Sequence, residues 1–216
     1  MPDVLDPELQ FFEMADDLIR LSGSDRATMR AVGRALRSTD QFEEVVDGMD
    51  TVTLQFDPLQ LSLADVQALI GQATQSASDH EEASAELIEL EAVFSEDAAP
   101  DLDLVANTLD LSKDQIIEDL CAAELRVEML GFTPGFAYMS GVPEHLHVPR
   151  LDTPRQSVKA GSLGLAAGMC GTYALAGPGG WPIIGKIQTP LFDTSWETPF
   201  ALKPGSRVKL KAVAQS

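Results

Sequence analysis

The chain has 216 residues, 44% apolar and 23% charged, with a formal net charge of -19 and a mean hydropathy of -0.00, the balance of a globular protein with enough chain for one large core or two small ones. No apolar run is long enough to span a bilayer, and MPDVLDPELQ has neither the basic flank nor the apolar stretch of a secretory leader, so a cytoplasmic protein with no membrane partner is expected. Residues 1–120 carry 28 acidic against 6 basic side chains, and residues 121–216 carry 6 against 9; the 75 residues between Arg37 and Lys113 hold no Lys or Arg, and such a field repels phosphate backbones, so no nucleic-acid partner is expected.

In chain order, LQFFEM (9–14) and DDLIRLSG (16–23) read as short strands. A helix follows, with Met29, Val32, Ala35 and Leu36 at helical spacing and Ser24 or Asp25 as its N-cap. FEEVVDGM is a strand or strand edge, and in TVTLQFD (51–57) Val52, Leu54 and Phe56 alternate with polar residues as on a half-buried strand. SLADVQALIGQA (62–73) is a helix capped by Ser62. These elements predict a small α/β domain over residues 1–75, followed by a polar linker over 76–85.

A second domain is expected over 86–216. It starts with a strand in ELIELEAVF (86–94) and continues with helices around 101–108 and 113–122, for which Asp101 and Ser112 suit the N-caps. LRVEMLGF (125–132) resumes a strand, and beyond it SVKAGSLGLAAG, GTYALAG, WPIIGKI and RVKLKAV are short apolar stretches broken by Gly and Pro. Residues 121–216 hold 12 of the 16 Gly and 9 of the 13 Pro, the pattern of a compact β-barrel.

Several chemical motifs are weak. GWPIIGKI (180–187) has the spacing of a phosphate loop, but Ile187 replaces the magnesium-binding hydroxyl residue and IIGKI reads as strand rather than helix start. His145 and His147 have no third ligand nearby, and His80 lies in the polar linker, so no metal site is expected. Cys121 and Cys170 read as buried thiols, and no Gly-x-Ser-x-Gly elbow is present. Arg150, Arg155, Lys159 and Lys186 stand among GFTPGF, AGSLG and GPGGW, where exposed backbone N–H groups and cations together suit a carboxylate or phosphate.

APDLDLVA (99–106), GFTPGFAYMSGVP (131–143), VPRLDTPRQSVKAGSLGLAAG (148–168), GPGGWPIIGK (177–186), LFD (191–193) and PFALKPGSRVKL (199–210) resemble the family that contains the B subunit of 5-oxoprolinase, KipI and subunit 1 of allophanate hydrolase, the carboxyltransferase subdomains C and D. The resemblance is strongest over the last 90 or so residues. It implies an α+β architecture, with a cyclophilin-like β-barrel following the small α/β domain. It also implies a subunit of an ATP-dependent system that cleaves a small anionic amide, lactam or urea derivative. The partner would be a related carboxyltransferase-type protein, like KipA or the C subunit of 5-oxoprolinase, with ATP bound on another subunit and no biotin on this chain. A second reading from the same family is a KipI-like, non-catalytic inhibitor of a histidine kinase, or an inactive structural paralogue.

Carried over by motif, the substrate groove would be lined by Phe132, Pro134, Gly135, Phe136 and Tyr138. Arg155, Gly161, Ser162 and Lys186 would contact an anion, and Gly179, Gly180 and Trp181 would form the opposing loop. The chain also departs from the family pattern. Leu120 and Cys121 stand where a His and a Ser are usual, Leu125 where a Tyr is usual, and Lys186-Ile187 where Arg-Thr is usual. The Leu120 position implies the loss of an acid/base group, so no catalytic residue is assigned.

Overall fold

The computed structural model describes residues 9–78 and 87–214, and the chain divides into two compact units, Met1–Ser84 and Ala85–Ser216. In the first unit the described elements are β1 (Gln10–Ala15), β2 (Leu18–Ser22), α1 (Arg26–Arg37), β3 (Glu44–Asp47), β4 (Thr51–Gln55) and α2 (Leu63–Ser78). The strands form an antiparallel sheet in the order β1-β2-β4-β3. Alternation sends Ile19, Leu21, Val52 and Leu54 to one face, where they meet Met29, Val32 and Leu36 of α1 and Val66 and Ile70 of α2. Each such fully buried side chain contributes about 1.5–3 kcal/mol of transfer free energy, which is why a sheet this small needs both helices.

Asp25 caps α1: its carboxylate accepts from the N–H groups of Ala27 at 3.3 Å and Thr28 at 2.8 Å. Ser62 caps α2 reciprocally, its Oγ accepting from Asp65 N–H while the Asp65 carboxylate accepts from Ser62 N–H. The structure extends α2 to Ser78, five residues past the expected end. The polar letters of this stretch hide a continuing apolar row, because Ala73 and Ala77 extend the buried positions Val66 and Ile70, and the Thr74 hydroxyl satisfies itself on the Ile70 carbonyl. The rest of the expected linker, with His80, lies outside the described residues.

The second unit contains β5 (Leu87–Val93), α3 (Leu102–Leu109), α4 (Lys113–Ala122), β6 (Leu125–Leu130), β7 (Ala137–Ser140), β8 (Arg155–Val158), β9 (Ser162–Ala166), β10 (Met169–Thr172), β11 (Gly177–Gly179), β12 (Ile183–Ile187) and β13 (Arg207–Ala212). Seven strands close a barrel in the order β10-β7-β6-β13-β5-β12-β9, and β8 with β11 makes a separate antiparallel ribbon. The fold is thus α+β with a closed C-terminal barrel, as the sequence predicts. Closure leaves no unpaired barrel edge, and one core holds Leu90, Val127, Met139, Leu163, Cys170, Ile184 and Val208. Helices α3 and α4 add Leu102, Val105, Ile116 and Leu120 to that core.

Ser112 caps α4 in a capping box with Gln115, as expected. Asp101 does not cap α3 with its side chain. Its carboxylate is spent on longer-range partners, the Ile183 N–H at 2.6 Å and the Arg155 guanidinium at 2.5 Å, which outcompete the local cap. Residues 183–187 form a barrel strand, which removes the phosphate-loop reading of GWPIIGKI. Strand β7 is not evident from the sequence pattern, because AYMS sits between glycines and offers only four residues of it.

Candidate functional site

An aromatic cluster stands on the glycine-rich side of the barrel. The turn from β6 to β7 folds back on itself, with Gly131 N–H donating to the Phe136 carbonyl at 3.1 Å and Phe136 N–H to the Thr133 carbonyl at 3.0 Å. This turn places Phe132 at φ 69°, in the left-handed region that a bulky residue rarely adopts, and leaves it 57% exposed. Phe136 is buried at the centre, with ring centroids 4.6 Å from Tyr138, 4.9 Å from Tyr173, 5.6 Å from Phe132 and 6.0 Å from Trp181. Edge-to-face geometry dominates, the arrangement that ring quadrupoles favour.

Two glycines permit this packing by close approach. A Cβ on Gly171 would lie 2.6 Å from Phe136 Cζ and 2.8 Å from Trp181 Cζ3, and one on Gly179 would collide with the Tyr173 hydroxyl. The rings therefore lie against bare backbone. Together Phe132, Phe136, Tyr138, Arg150, Pro154, Tyr173, Pro178, Gly179, Gly180 and Trp181 enclose a cavity of about 210 Å³, room for a molecule displacing about seven waters.

Arg150 is the charged group of this lining. Its guanidinium carbon stands 5.9 Å from the Trp181 ring centroid, a cation–π contact, and none of the described ion pairs neutralises it. Burial pushes both tyrosine hydroxyls above their ordinary pKa. Arg150 opposes the rise at Tyr138; at Tyr173 a hydrogen bond from the Trp181 backbone opposes it, Tyr138 adds to it, and Arg150 and Arg155 also oppose it. The chemistry on offer is an apolar, aromatic wall with one cation and two hydroxyl donors, which suits a small planar anion.

Of the residues anticipated for the site, the cavity gathers Phe132, Phe136, Tyr138, Gly179, Gly180 and Trp181. Pro134 is exposed in the turn. Gly135, at φ 75°, is packed where a Cβ would meet Phe192 and Ala174. Arg155 lies on β8, with one guanidinium nitrogen on Asp101 at 2.5 Å and the other buried without a partner. Gly161 N–H donates to the Tyr173 carbonyl and Ser162 is buried in the β9 ladder, while Lys186 projects into solvent with its methylenes 3.4 Å from the position of a Gly161 Cβ. None of these six lines the cavity.

Arg150, Pro154, Tyr173 and Pro178 also line the cavity but are not among the groove residues carried over by motif; the sequence singles out Arg150 only as one of four cations suited to an anion. The signals of Arg150 and Tyr173 are present in VPRL and GTYA, a cation and an aromatic next to glycine-rich strands, but nothing local distinguishes Arg150 from Arg155. Leu120 and Cys121 lie on α4, with Leu120 fully buried in the barrel core and away from the cavity lining. The histidines are separated: His145 Nε2 is 2.7 Å from Asp119, and the His147 ring packs under Gly168 beside the Val142 carbonyl. Among the described residues no His, Cys, Asp or Glu cluster could hold a metal ion, and no helix is long and apolar enough to cross a membrane.

Known proteins resemble the chain along most of its length. It is 38% identical over 167 residues to the 5-oxoprolinase B subunit of Escherichia coli O157:H7, covering 77% of this chain and 76% of that one. It is 34% identical over 185 residues to the 5-oxoprolinase B subunit of Haemophilus influenzae, covering 83% of each. Among solved structures, TTHA0988 superposes with a TM-score of 0.81 at 27% identity over 93% of this chain, which spans only 40% of that longer protein. The Kluyveromyces lactis urea carboxylase shares the fold at 15% identity, with a TM-score of 0.74 over 99% of this chain and 23% of the enzyme. Residues 12–202 match the carboxyltransferase domain, subdomain C and D, and the chain belongs to that family.

Proposed function

We propose that this chain is the B-type subunit of a 5-oxoprolinase-like complex, an ATP-dependent system that opens a small lactam or cleaves a related amide or urea derivative. Relatives named as B subunits of 5-oxoprolinase cover most of the chain. The observation that carries the reading is the Arg150 guanidinium held over Trp181 at the wall of an aromatic cavity. A flat ring stacks on such a wall while its carboxylate takes the cation, and water is kept from the reacting amide. ATP binds on another subunit, biotin has no role on this chain, and a carboxyltransferase-type partner completes the enzyme.

Because Trp181 lines the cavity, its fluorescence reports occupancy. 5-Oxoproline should change that fluorescence saturably, and 2-pyrrolidinone, the same ring without the carboxylate, should bind at least tenfold more weakly. Arg150→Ala should cost about 10- to 100-fold in affinity, the worth of a charge-assisted hydrogen bond. Equal affinities for the two rings would refute the carboxylate assignment. Absence of ATP hydrolysis dependent on 5-oxoproline in the complex reconstituted with its partner would favour the non-catalytic, KipI-like reading.

A further inference from the structure

The chain contains two tyrosines, and both line the same cavity. Beside them stand the Arg150 guanidinium and the backbone of Gly179 and Gly180. Among the described residues that line it there is no carboxylate, imidazole, thiol or amine. The side chains of the cavity therefore offer donors and no basic proton acceptor: a guanidinium has no acceptor, and a neutral phenol donates its O–H while its oxygen accepts only a hydrogen bond. Tyr173 is buried against Phe136, its hydroxyl close to the bare backbone of Gly179 at the cavity wall. The two buried carboxylates among the described residues do not line the cavity: Glu128 of β6 accepts from Ser140, and Asp101 accepts from Arg155 and the Ile183 N–H.

Resting on the reading of this cavity as the substrate site, we infer that it is the donor half of a divided active site: Arg150 holds the substrate carboxylate, Tyr138 and Tyr173 donate to the amide oxygen, and proton removal falls to a group brought by another chain. Attack on an amide needs both halves. The carbonyl oxygen gains negative charge, which donors stabilise, while the nucleophile must give its proton to an acceptor. A wall of aromatic rings can supply the first function and not the second. The charged and titratable groups that act on the hydroxyls are Arg150 at Tyr138 and, at Tyr173, Tyr138, Arg150 and Arg155. Burial dominates that balance and keeps both phenols protonated, which is the state the donor role requires.

With two tyrosines in the chain, ultraviolet phenolate absorbance of the full-length protein reads the cavity directly. Titration from about pH 7 to pH 10 should show essentially no phenolate below the ordinary tyrosine value near 10, and Tyr138→Phe and Tyr173→Phe assign the two transitions above it. Ionisation of either tyrosine between about pH 7 and 9 would make it a proton acceptor and overturn the inference. In parallel, 5-oxoproline affinity by Trp181 fluorescence should vary less than twofold from about pH 6 to 9, with no proton uptake by calorimetry; a tenfold change tracking an ionisation in that window also overturns it. Failure of 5-oxoproline to bind at every pH sinks the substrate reading instead, and the tyrosine titration still decides whether the cavity is donor-only. In the reconstituted complex, each Tyr→Phe variant should lose about 10- to 100-fold in kcat while the acidic limb of the pH profile stays in place; loss of that limb in either variant refutes the division of labour.

Discussion

Arg155 separates a structural role from a ligand-binding one, and its environment gives the size of the effect. Its guanidinium is 2.5 Å from Asp101, with side-chain exposures of 33% and 8% respectively. Asp101 is held further by Ile183, through both its carboxylate and a backbone bond of 3.0 Å from Asp101 N–H to the Ile183 carbonyl. Arg155→Ala leaves the buried Asp101 carboxylate with one described partner, the Ile183 backbone N–H. Breaking a fully buried pair from one side costs about 3–5 kcal/mol, and solvent already reaches a third of Arg155, so about 2–3 kcal/mol is expected. Trp181 and Trp196, the chain's two tryptophans, both belong to the second unit. Urea unfolding followed by their fluorescence therefore reads that unit, and the midpoint should fall by roughly 1–2 M. The double variant Asp101→Ala/Arg155→Ala should be less destabilised than the sum of the single changes, with a coupling of about 1–3 kcal/mol. An unchanged midpoint for Arg155→Ala together with loss of 5-oxoproline binding would refute this reasoning and return Arg155 to the ligand site.

Three other outcomes follow from the geometry. Phe132→Gly relieves a left-handed backbone worth about 1 kcal/mol at a half-exposed position, so the urea midpoint should hold or rise while ligand affinity falls; a clear drop in midpoint would show that the Phe132 ring is a packing element. Asp25, Asp57 and Asp65 lie below the ordinary carboxylate range chiefly because Thr28, Gln60 and Ser62, respectively, donate to them. A depressed folded pKa means that their stabilisation is complete above about pH 4 and drains away as pH falls through the lowered values. Circular dichroism of the first unit's helices should then show acid unfolding that Asp25→Asn makes less pH-dependent, and an unchanged acid limb in that variant would count against the cap. Burial pushes the Cys170 thiol to about 12, whereas Cys121 is only partly buried. Native protein at about pH 8 should thus show no thiol modification at Cys170 by mass spectrometry until it unfolds; rapid native labelling there would mean that the barrel core opens readily.

The strands and helices of this chain are legible where period and punctuation agree. TVTLQFD alternates, Ser112 and Gln115 form a readable box, and Gly-rich apolar runs foretell a barrel. The end of α2 is hidden because its buried positions are alanines among polar letters, and β7 because four residues between glycines carry little pattern. Half of the anticipated site falls into the cavity because GFTPGFAY and GGW concentrate aromatics beside glycines, and such rings need bare backbone to pack on. The choice between Arg150 and Arg155 is illegible. It depends on Asp101, 54 positions before Arg155, whose carboxylate pairs with Arg155, while Arg150 stands over Trp181 in none of the described ion pairs.

The parallel pairing of β5 with β13 runs the full length of β13, from Arg207 opposite Leu87 to Ala212 opposite Ala92. The two strands lie roughly 120 residues apart along the chain, so this seam carries a large loop-closure cost that nothing local repays. During synthesis the four strands and two helices of the first unit are complete once α2 has emerged, and that unit can fold early. The barrel has to wait. Until β13 arrives, β5 and β6 each present an unpaired edge to the cell, an invitation to pair with other chains. Speed of maturation in this protein is therefore set by its last barrel strand, and conditions that slow translation just before Arg207 should lower soluble yield more than pauses inside the first unit.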